Sequence, residues 1–514
     1  PHQPLAQGKQ RDMTRRSPRS RRGARFAGTV LLVAALAGCG LFGGGGGPVR
    51  IAAMGPLNAA ASPLNGELSA PNAALLEMTA QGLVGYDADG QIDTGLAERW
   101  TVTGDGRSYI FRLREAKWSN GREVTADDVV SVLRGYLGTN SRNLLKDDFP
   151  EIETIRAMTD QVIEIRLAVP QPNMLELLAQ PSMTIVYKGM GWGPMRSRKA
   201  GRALLLTPAP DPLADDPEAA EATANDPAAS VELVGTTPAG ALARYNNGYA
   251  DGVIGGRFST LPYFLVSSIG RSRLIVDPVP GLFGLSFTSA EGFLASDINR
   301  DALSRVVRRQ RLIDAFGLAE WQPQRALRPA VYRRDGGPEP LQPAWADFDN
   351  DSRFAQSKRV VDSWRAAGRK IAPLRIAVPQ TPGGRILFAY VAADFARIGI
   401  ESRRVAMDAA SDLRLIDEVA PNDDALWALR RLSCQRDTLC NREAQAKIDQ
   451  AVLNIDSGQR ARQIGEIETM LGRYTPFIPI ATPLRWSVAS QRLTGFKPNA
   501  RAAHPLNRLL AKPN

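Results

Sequence analysis

The chain has 514 residues, 44% of them apolar and 23% charged, an ordinary globular composition and enough length for two or three hydrophobic cores. Its formal charge of +11 is concentrated at the start: residues 1–38 hold Lys9 and seven arginines against Asp12, so the remainder carries only +4, too little for a nucleic-acid footprint. With His2 and His504 the only histidines, a histidine-rich metal centre is excluded, and a His-dependent nucleophile has His504 alone to draw on.

The first 47 residues set the compartment. Residues 15–25 are basic and 26–37 form a short apolar run ending in small residues, the pattern of a secretory signal. That run is too short to span a bilayer as a helix, which takes about 20 residues. Leu36-Ala37-Gly38-Cys39 follows in register and resembles the bacterial lipobox, with cleavage before Cys39 and acylation of its sulfur and amino group. Residues 1–38 are thus read as a lipoprotein signal, with Met13 as initiator. Residues 39–47, with glycines at 43–47, are read as a lipidated cysteine and flexible tether. No later stretch is apolar for about 20 residues, so the membrane is reached through the anchor only. Cys434 and Cys440, close together in an oxidising compartment, are expected to close a small disulfide loop; zinc would need partner ligands that the sequence lacks.

In the body, residues 49–53 read as a strand and 73–81 as a helix, and Asp87-Ala88-Asp89-Gly90 is turn chemistry. Residues 107–114 alternate, with Tyr109, Phe111 and Leu113 on one face, as a half-buried strand does. Thr125 followed by Asp128 predicts an N-cap and an acidic first turn for a helix through Tyr136, which accounts for Asp127-Asp128 without catalysis. Val162–Leu167 is a second alternating strand. Residues 207–228, rich in Pro, Ala, Asp and Glu, read as a solvated loop. Leu303, Val306, Val307, Gln310 and Ile313 fall at helical spacing and predict a helix over 302–316. Residues 374–378, 386–398 and 401–405 predict a βαβ unit, and two helices at 442–453 and 459–471 precede a strand at 477–480. Mixed elements without a fixed-period repeat indicate an α/β or α+β protein of several lobes.

The most informative segment is Gly95-Leu96-Ala97-Glu98-Arg99-Trp100, continuing through Asp105-Gly106-Arg107-Ser108-Tyr109-Ile110-Phe111-Arg112-Leu113-Arg114. It ends in Ala116-Lys117-Trp118-Ser119-Asn120-Gly121 and Val124-Thr125-Ala126-Asp127-Asp128-Val129. Nearly position by position it resembles a run of the peptide/nickel class of ABC-transporter solute-binding proteins, family 5. Gly191-Trp192-Gly193-Pro194, Asn247-Gly248-Tyr249-Ala250-Asp251-Gly252 and Thr475-Pro476-Phe477-Ile478-Pro479-Ile480 resemble further family steps. The resemblance implies an α/β, two-lobed type II periplasmic binding protein with a small extra subdomain. Residues 48–70, 181–265 and 478–514 would form lobe I, 71–180 the subdomain and 266–477 lobe II. It implies capture of a peptide or peptide-like solute between the lobes and delivery to an ABC permease and its ATPase. It also implies no catalysis, no cofactor and a monomer.

One departure concerns the ligand. Peptide binders of this family place an acid after a tryptophan in the second lobe, to meet the ligand's ammonium. In the corresponding stretch, Asp424-Ala425-Leu426-Trp427-Ala428-Leu429-Arg430-Arg431-Leu432, Trp427 keeps the aromatic position while Arg430 and Arg431 stand where the acid is expected. Guanidinium groups suit carboxylate or phosphate, so an anionic solute, or a peptide gripped otherwise than by its free amino end, is one reading; a solvated strand edge, with the correspondence off by a few residues, is the other. Trp192, in a loop after Gly191, is a candidate to line the cleft, with core packing the alternative. Trp118 and His504 read as structural. Two competing classes are an envelope binding or sensing lipoprotein without a permease, and an envelope hydrolase. The hydrolase lacks a Gly-x-Ser-x-Gly elbow, a His-Glu-x-x-His motif and a Cys–His pair.

Overall fold

Buried Val49, Ile51, Ala52 and Ala53 make β1 (Val49–Met54) a strand covered on both faces, and α1 (Ala70–Thr79) packs on it after Ser69 caps its first turn by accepting from the Asn72 N–H. The computed structural model describes residues 46–210, 216–329, 338–435 and 437–510, and the expected signal segment with Cys39 lies outside them.

The chain then builds a small α+β unit. β2 (Val84–Tyr86) and β3 (Ile92–Thr94) form a hairpin across the turn at 87–90, where Gly90 takes φ +75°. β4 (Ala97–Val102), β5 (Ser108–Leu113), β6 (Ile152–Thr159) and β7 (Val162–Leu167) form an antiparallel sheet in the order β4-β5-β7-β6. Tyr109, Phe111 and Leu113 point into its core, as the alternation predicted. α2 (Ala126–Leu137) covers that face and is capped by Thr125, whose hydroxyl accepts from the Asp128 N–H; α3 (Met174–Leu178) closes the unit. Trp118 is buried, its indole N–H donating to Asp128 Oδ2 at 3.0 Å, so both are packing residues.

β8 (Met195–Ala200), β9 (Ala203–Pro208), β10 (Val231–Thr236), β11 (Gly252–Arg257) and β12 (Leu274–Asp277) return to the first sheet, with α4 (Pro217–Asn225), α5 (Pro238–Asn246) and α6 (Leu261–Leu265) between them. The second large sheet starts at β13 (Gly281–Phe287). It is followed by α7 (Asp297–Val306), α8 (Arg309–Asp314), α9 (Asn350–Ala366), β14 (Leu374–Ala377), α10 (Pro382–Arg397), β15 (Ser402–Val405) and β16 (Leu413–Val419). α11 (Ala425–Arg431), α12 (Arg442–Leu453), α13 (Ser457–Tyr474) and β17 (Phe477–Ala481) complete it, and β18 (Arg485–Ala489) goes back to the first sheet. The sheet orders are β12-β18-β11-β1-β10-β9-β8 and β15-β14-β16-β13-β17, with β1 parallel to β10 and β11, and β14 parallel to β15 and β16.

Three local expectations change. The solvated stretch at 207–228 contains α4, a short alanine-rich helix. The helix expected over 302–316 is two helices: Val307 is extended, and Arg308 gives its backbone N–H to Asp394 Oδ2 at 2.8 Å instead of a helical carbonyl. The lobe limits also shift. Residues 266–277 run into the first sheet through β12, β17 belongs to the second, and α1 packs in the first lobe's core with β1, β9 and β10. These limits are set by pairings such as β12 with β18, more than 200 residues apart, which no local pattern reveals.

Candidate functional site

Between the large sheets the chain crosses twice, at residues 278–280 and 482–484. The crossings run side by side, because β12 pairs with β18 on one side and β13 with β17 on the other. Pro278, Pro280 and Pro483 fix φ and withhold N–H donors, so the ladder is interrupted there. Gly281 has φ +152°, and a Cβ on it would stand 2.1 Å from the Glu418 carbonyl oxygen and 2.8 Å from Pro483 Cγ. Two short, proline-containing crossings are the geometry of a hinge.

Charges of both signs gather beside the crossings. Arg485 donates to Asp417 Oδ1 at 2.8 Å, linking β18 to the second sheet. Its neighbour on β11, Arg257, reaches Glu67 at 3.2 Å. Burial holds the Arg485 guanidinium below its usual range, Asp417 opposes that, and Arg257 adds to it. The carboxyl ends of β11 and β14 also meet: Gly383, at the start of α10, donates its N–H to the Ser259 carbonyl at 3.1 Å. Carboxyl ends of parallel strands are where α/β sheets take ligands.

A single cation also ties three parts of the fold. Arg501, from the C-terminal segment, reaches Glu176 of α3 at 3.0 Å and Asp423, between β16 and α11, at 2.9 Å. The Asp423 N–H donates to Glu176 Oε2 at 2.7 Å, and Gln180 Nε2 to the Pro421 carbonyl at 2.8 Å. Burial works to lower the Arg501 pKa but is outweighed by Tyr86, Glu176 and Asp423, which raise it. The small unit, the first lobe and the second lobe are thus clasped at one point.

Of the residues singled out from the sequence, the structure brings Trp427, Arg430, Arg431, Cys434 and Cys440 into one region of the second lobe. The stretch around them is a helix and not a strand edge, because Asp424 caps α11 by accepting from the Leu426 N–H. Trp427 is 3% exposed in an apolar cluster with Leu426, Ile448, Ile464 and Leu471, so it packs the lobe instead of lining a crevice. Arg431 holds Glu418 with two hydrogen bonds of 2.7 Å. Burial works to lower its pKa, yet Glu418 leaves it raised. Arg430 lies in the last turn of the same helix, its Nε buried without a hydrogen-bond partner among the described residues. Trp192 packs at the edge of the small unit's core with Arg114 over its ring at 5.2 Å. His504 stacks on Phe496 and lies 3.1 Å from Asp277.

Cys434 and Cys440 are joined in the structure. Alkylation without reductant is expected to add no label at this pair. Replacing both with serine should cost about 2 kcal/mol, the chain entropy released from so short a loop; two labels on the native protein would refute the bridge. The clasp and the Arg485–Asp417 link escaped sequence reading, since each joins distant residues with no shared motif. The proline spacing at 278, 280 and 483 was the one available signal for the crossings.

Glu77 of α1 lines a cavity of about 50 Å³ with Gln81, Thr94 and Asn507, and burial pushes its carboxyl up to about 7 from 4.5. The folded form therefore holds a proton that the unfolded chain releases at lower pH, and stability falls as pH rises from about 4.5 to about 7. The full shift corresponds to about 3 kcal/mol, reduced to roughly 1–2 kcal/mol by water reaching the cavity. Glu77→Gln is expected to raise the melting temperature at pH 8 and leave it unchanged at pH 4; equal shifts at both pH values would refute this. Among the described residues no cluster of three or more His, Cys, Asp or Glu could hold a metal ion, and no helix is long and apolar enough to cross a membrane.

Sequence comparison finds partial relatives. The chain is 32% identical over 122 residues to the probable deoxycholate-binding periplasmic protein of Escherichia coli K12, covering 20% of this chain and 23% of that protein. It is 31% identical over 136 residues to the nickel-binding periplasmic protein of the same organism, covering 26% of each. The alignments thus span about a quarter of the length of these curated relatives. The fold is shared over a far greater length: the crystal structure of Haemophilus influenzae OppA in complex with RPPGFSPFR superposes with a TM-score of 0.72 at 16% identity, covering 90% of this chain and 98% of that one. Residues 91–418 match the family model of bacterial extracellular solute-binding proteins, family 5 Middle. The chain, a two-lobed α/β protein with a small extra unit, belongs to the bacterial extracellular solute-binding proteins of family 5.

Proposed function

We propose that this protein captures a peptide or peptide-like solute between its lobes, outside the cytoplasm, and passes it to an ABC permease driven by its ATPase. The observation that carries this is the pair of proline-containing crossings between two sheets whose parallel strands present their carboxyl ends to each other. The strip beside the crossings bears Arg257 and Arg485 together with Glu67, Asp417 and Glu418, a mixture that suits a zwitterionic guest better than a purely anionic one. Cys39 is the proposed lipid anchor and residues 40–47 its tether, so that a monomer works at the membrane surface of the cell envelope.

Native mass spectrometry of the freshly purified, delipidated protein tests the capture. A peptide mass that dissociates on unfolding supports it, and a guest-free protein that ignores a mixed peptide library counts against it. A Cys39→Ser variant is expected to leave the membrane fraction; retention there would remove the anchor from the proposal.

A further inference from the structure

The break between α7 and α8 has a chemical consequence on the second lobe. It turns Arg308, Arg309 and Gln310 toward Arg325 and the first turn of α9, and together these residues and their neighbours enclose a cavity of about 310 Å³. Asn350 and Arg353 complete its wall, and among the described residues no carboxylate lines it. Arg308 is neutralised from outside by Asp394 at 2.6 Å. Among the described residues the hydrogen bonds of Arg309 and Arg353 go to neutral groups alone. Arg309, 2% exposed, donates to the carbonyls of Pro479 at 2.6 Å and of Ser304 and Val307 at 3.1 Å. Arg353, 8% exposed, donates to Asn350 Oδ1 at 2.8 Å, and both lie over the Trp345 ring, at 5.2 and 5.9 Å. The Nε of Arg353 and the Nε of Arg325 are buried and without a hydrogen-bond partner among the described residues.

These cations suffer for their proximity. Burial first, then Arg325 and Arg353, push the Arg309 guanidinium down to about 9, against the pull of Asp301 and Asp394. Burial and then Arg325 act on Arg353 in the same direction, against the weaker pull of Asp349. A cavity that concentrates several guanidinium groups with less carboxylate around it than cations, and with donors left unused, is complementary to a multiply charged anion.

We propose that this cavity binds a phosphoryl group carried on a small organic ester, with Arg325 and Arg353 as its principal partners and the Gln310 and Asn350 amides at its edge. A phosphoryl dianion offers three terminal oxygens and two charges to converging guanidinium forks, where a carboxylate offers two oxygens and one charge. The volume is more than a bare phosphate fills, which leaves room for the ester's organic part. The site is distinct from the crevice between the lobes: none of the residues named for it takes part in the contacts described there, and it stands whether or not the guest of that crevice is a peptide.

Calorimetric titration of the full body with glycerol 3-phosphate, inorganic phosphate and acetate, at matched ionic strength in chloride, tests it. Glycerol 3-phosphate is expected to bind and raise the melting temperature, inorganic phosphate to bind more weakly, and acetate to do neither. Arg325→Met should weaken glycerol 3-phosphate binding by about tenfold or more. In chloride alone this variant should melt no lower than the parent, because it relieves repulsion. Arg353→Gln supplies a second variant with the same expected loss of binding. Silence toward both phosphates, or unchanged affinity in both variants, overturns the site; equal affinity for inorganic phosphate and the ester overturns the choice of ester.

Discussion

An Arg501→Met variant is expected to open the protein. The substitution keeps the aliphatic bulk but deletes the cation shared by Glu176 and Asp423, leaving two carboxylates facing each other across the boundary between the small unit and the second lobe. Arg501 has 8% of its side chain exposed and its partners 19% and 29%, so the ion pairs are screened only in part by water. Removing one member of such a group costs about 2–3 kcal/mol, equivalent to roughly 30- to 160-fold in the balance between closed and open forms. Small-angle scattering should show a larger radius of gyration for the variant, and any co-purifying guest should be held more weakly. Adding Asp423→Asn should recover part of the compaction, since it removes the repulsion without restoring the bridge. Scattering curves that superpose for parent and variant would show that this cation does not hold the lobes together.

A larger loss of stability is expected at Arg328. Its side chain is fully buried, and it meets Glu468 of α13 at 3.3 Å, itself 1% exposed, while also donating to the Pro338 carbonyl at 2.6 Å. Glu468 accepts in addition from the Leu341 N–H at 3.0 Å. Arg328→Met strips the buried carboxylate of its cation, a change that costs about 3–5 kcal/mol. The loss has a pH signature. Burial already raises the Glu468 pKa above the ordinary value, against the opposing pull of Arg328 and the Leu341 amide. Without Arg328 that pKa climbs further, so the folded variant takes up a proton more readily than the unfolded chain. The deficit should therefore be greatest at pH 8 and shrink as pH falls toward 5. Pairing the change with Glu468→Met should restore most of the stability, because an apolar pair of similar volume carries no desolvation cost. Denaturant melts of the single and double variants at both pH values decide the matter, and a deficit independent of pH would mean that Glu468 is not the cause.

Some of this architecture was legible residue by residue. The Thr125 cap, the alternation of Tyr109, Phe111 and Leu113, and the βαβ unit of β14, α10 and β15 are local devices, and local devices are written in the spacing of side chains. The break at Val307 and Arg308 was not legible, because Asp394, 86 positions away, captures the N–H that a continuous helix would have used. Trp427 is buried in the second lobe for a related reason. An aromatic residue with the right neighbours in sequence takes its surroundings from the helices packed on it, here α12 and α13.

The sequence by itself determined the family, through a run from Gly95 to Val129 whose turns, caps and buried aromatic residues specify one supersecondary unit. The meeting of Arg501 with Glu176 and Asp423, the placing of three prolines at two adjacent crossings, and the crowding of guanidinium groups around one cavity were decided only by tertiary structure. The physical reason is one of range. Hydrogen bonds within a turn or strand pair depend on neighbours a few residues away, whereas charge, burial and strand pairing act between any residues that folding brings together.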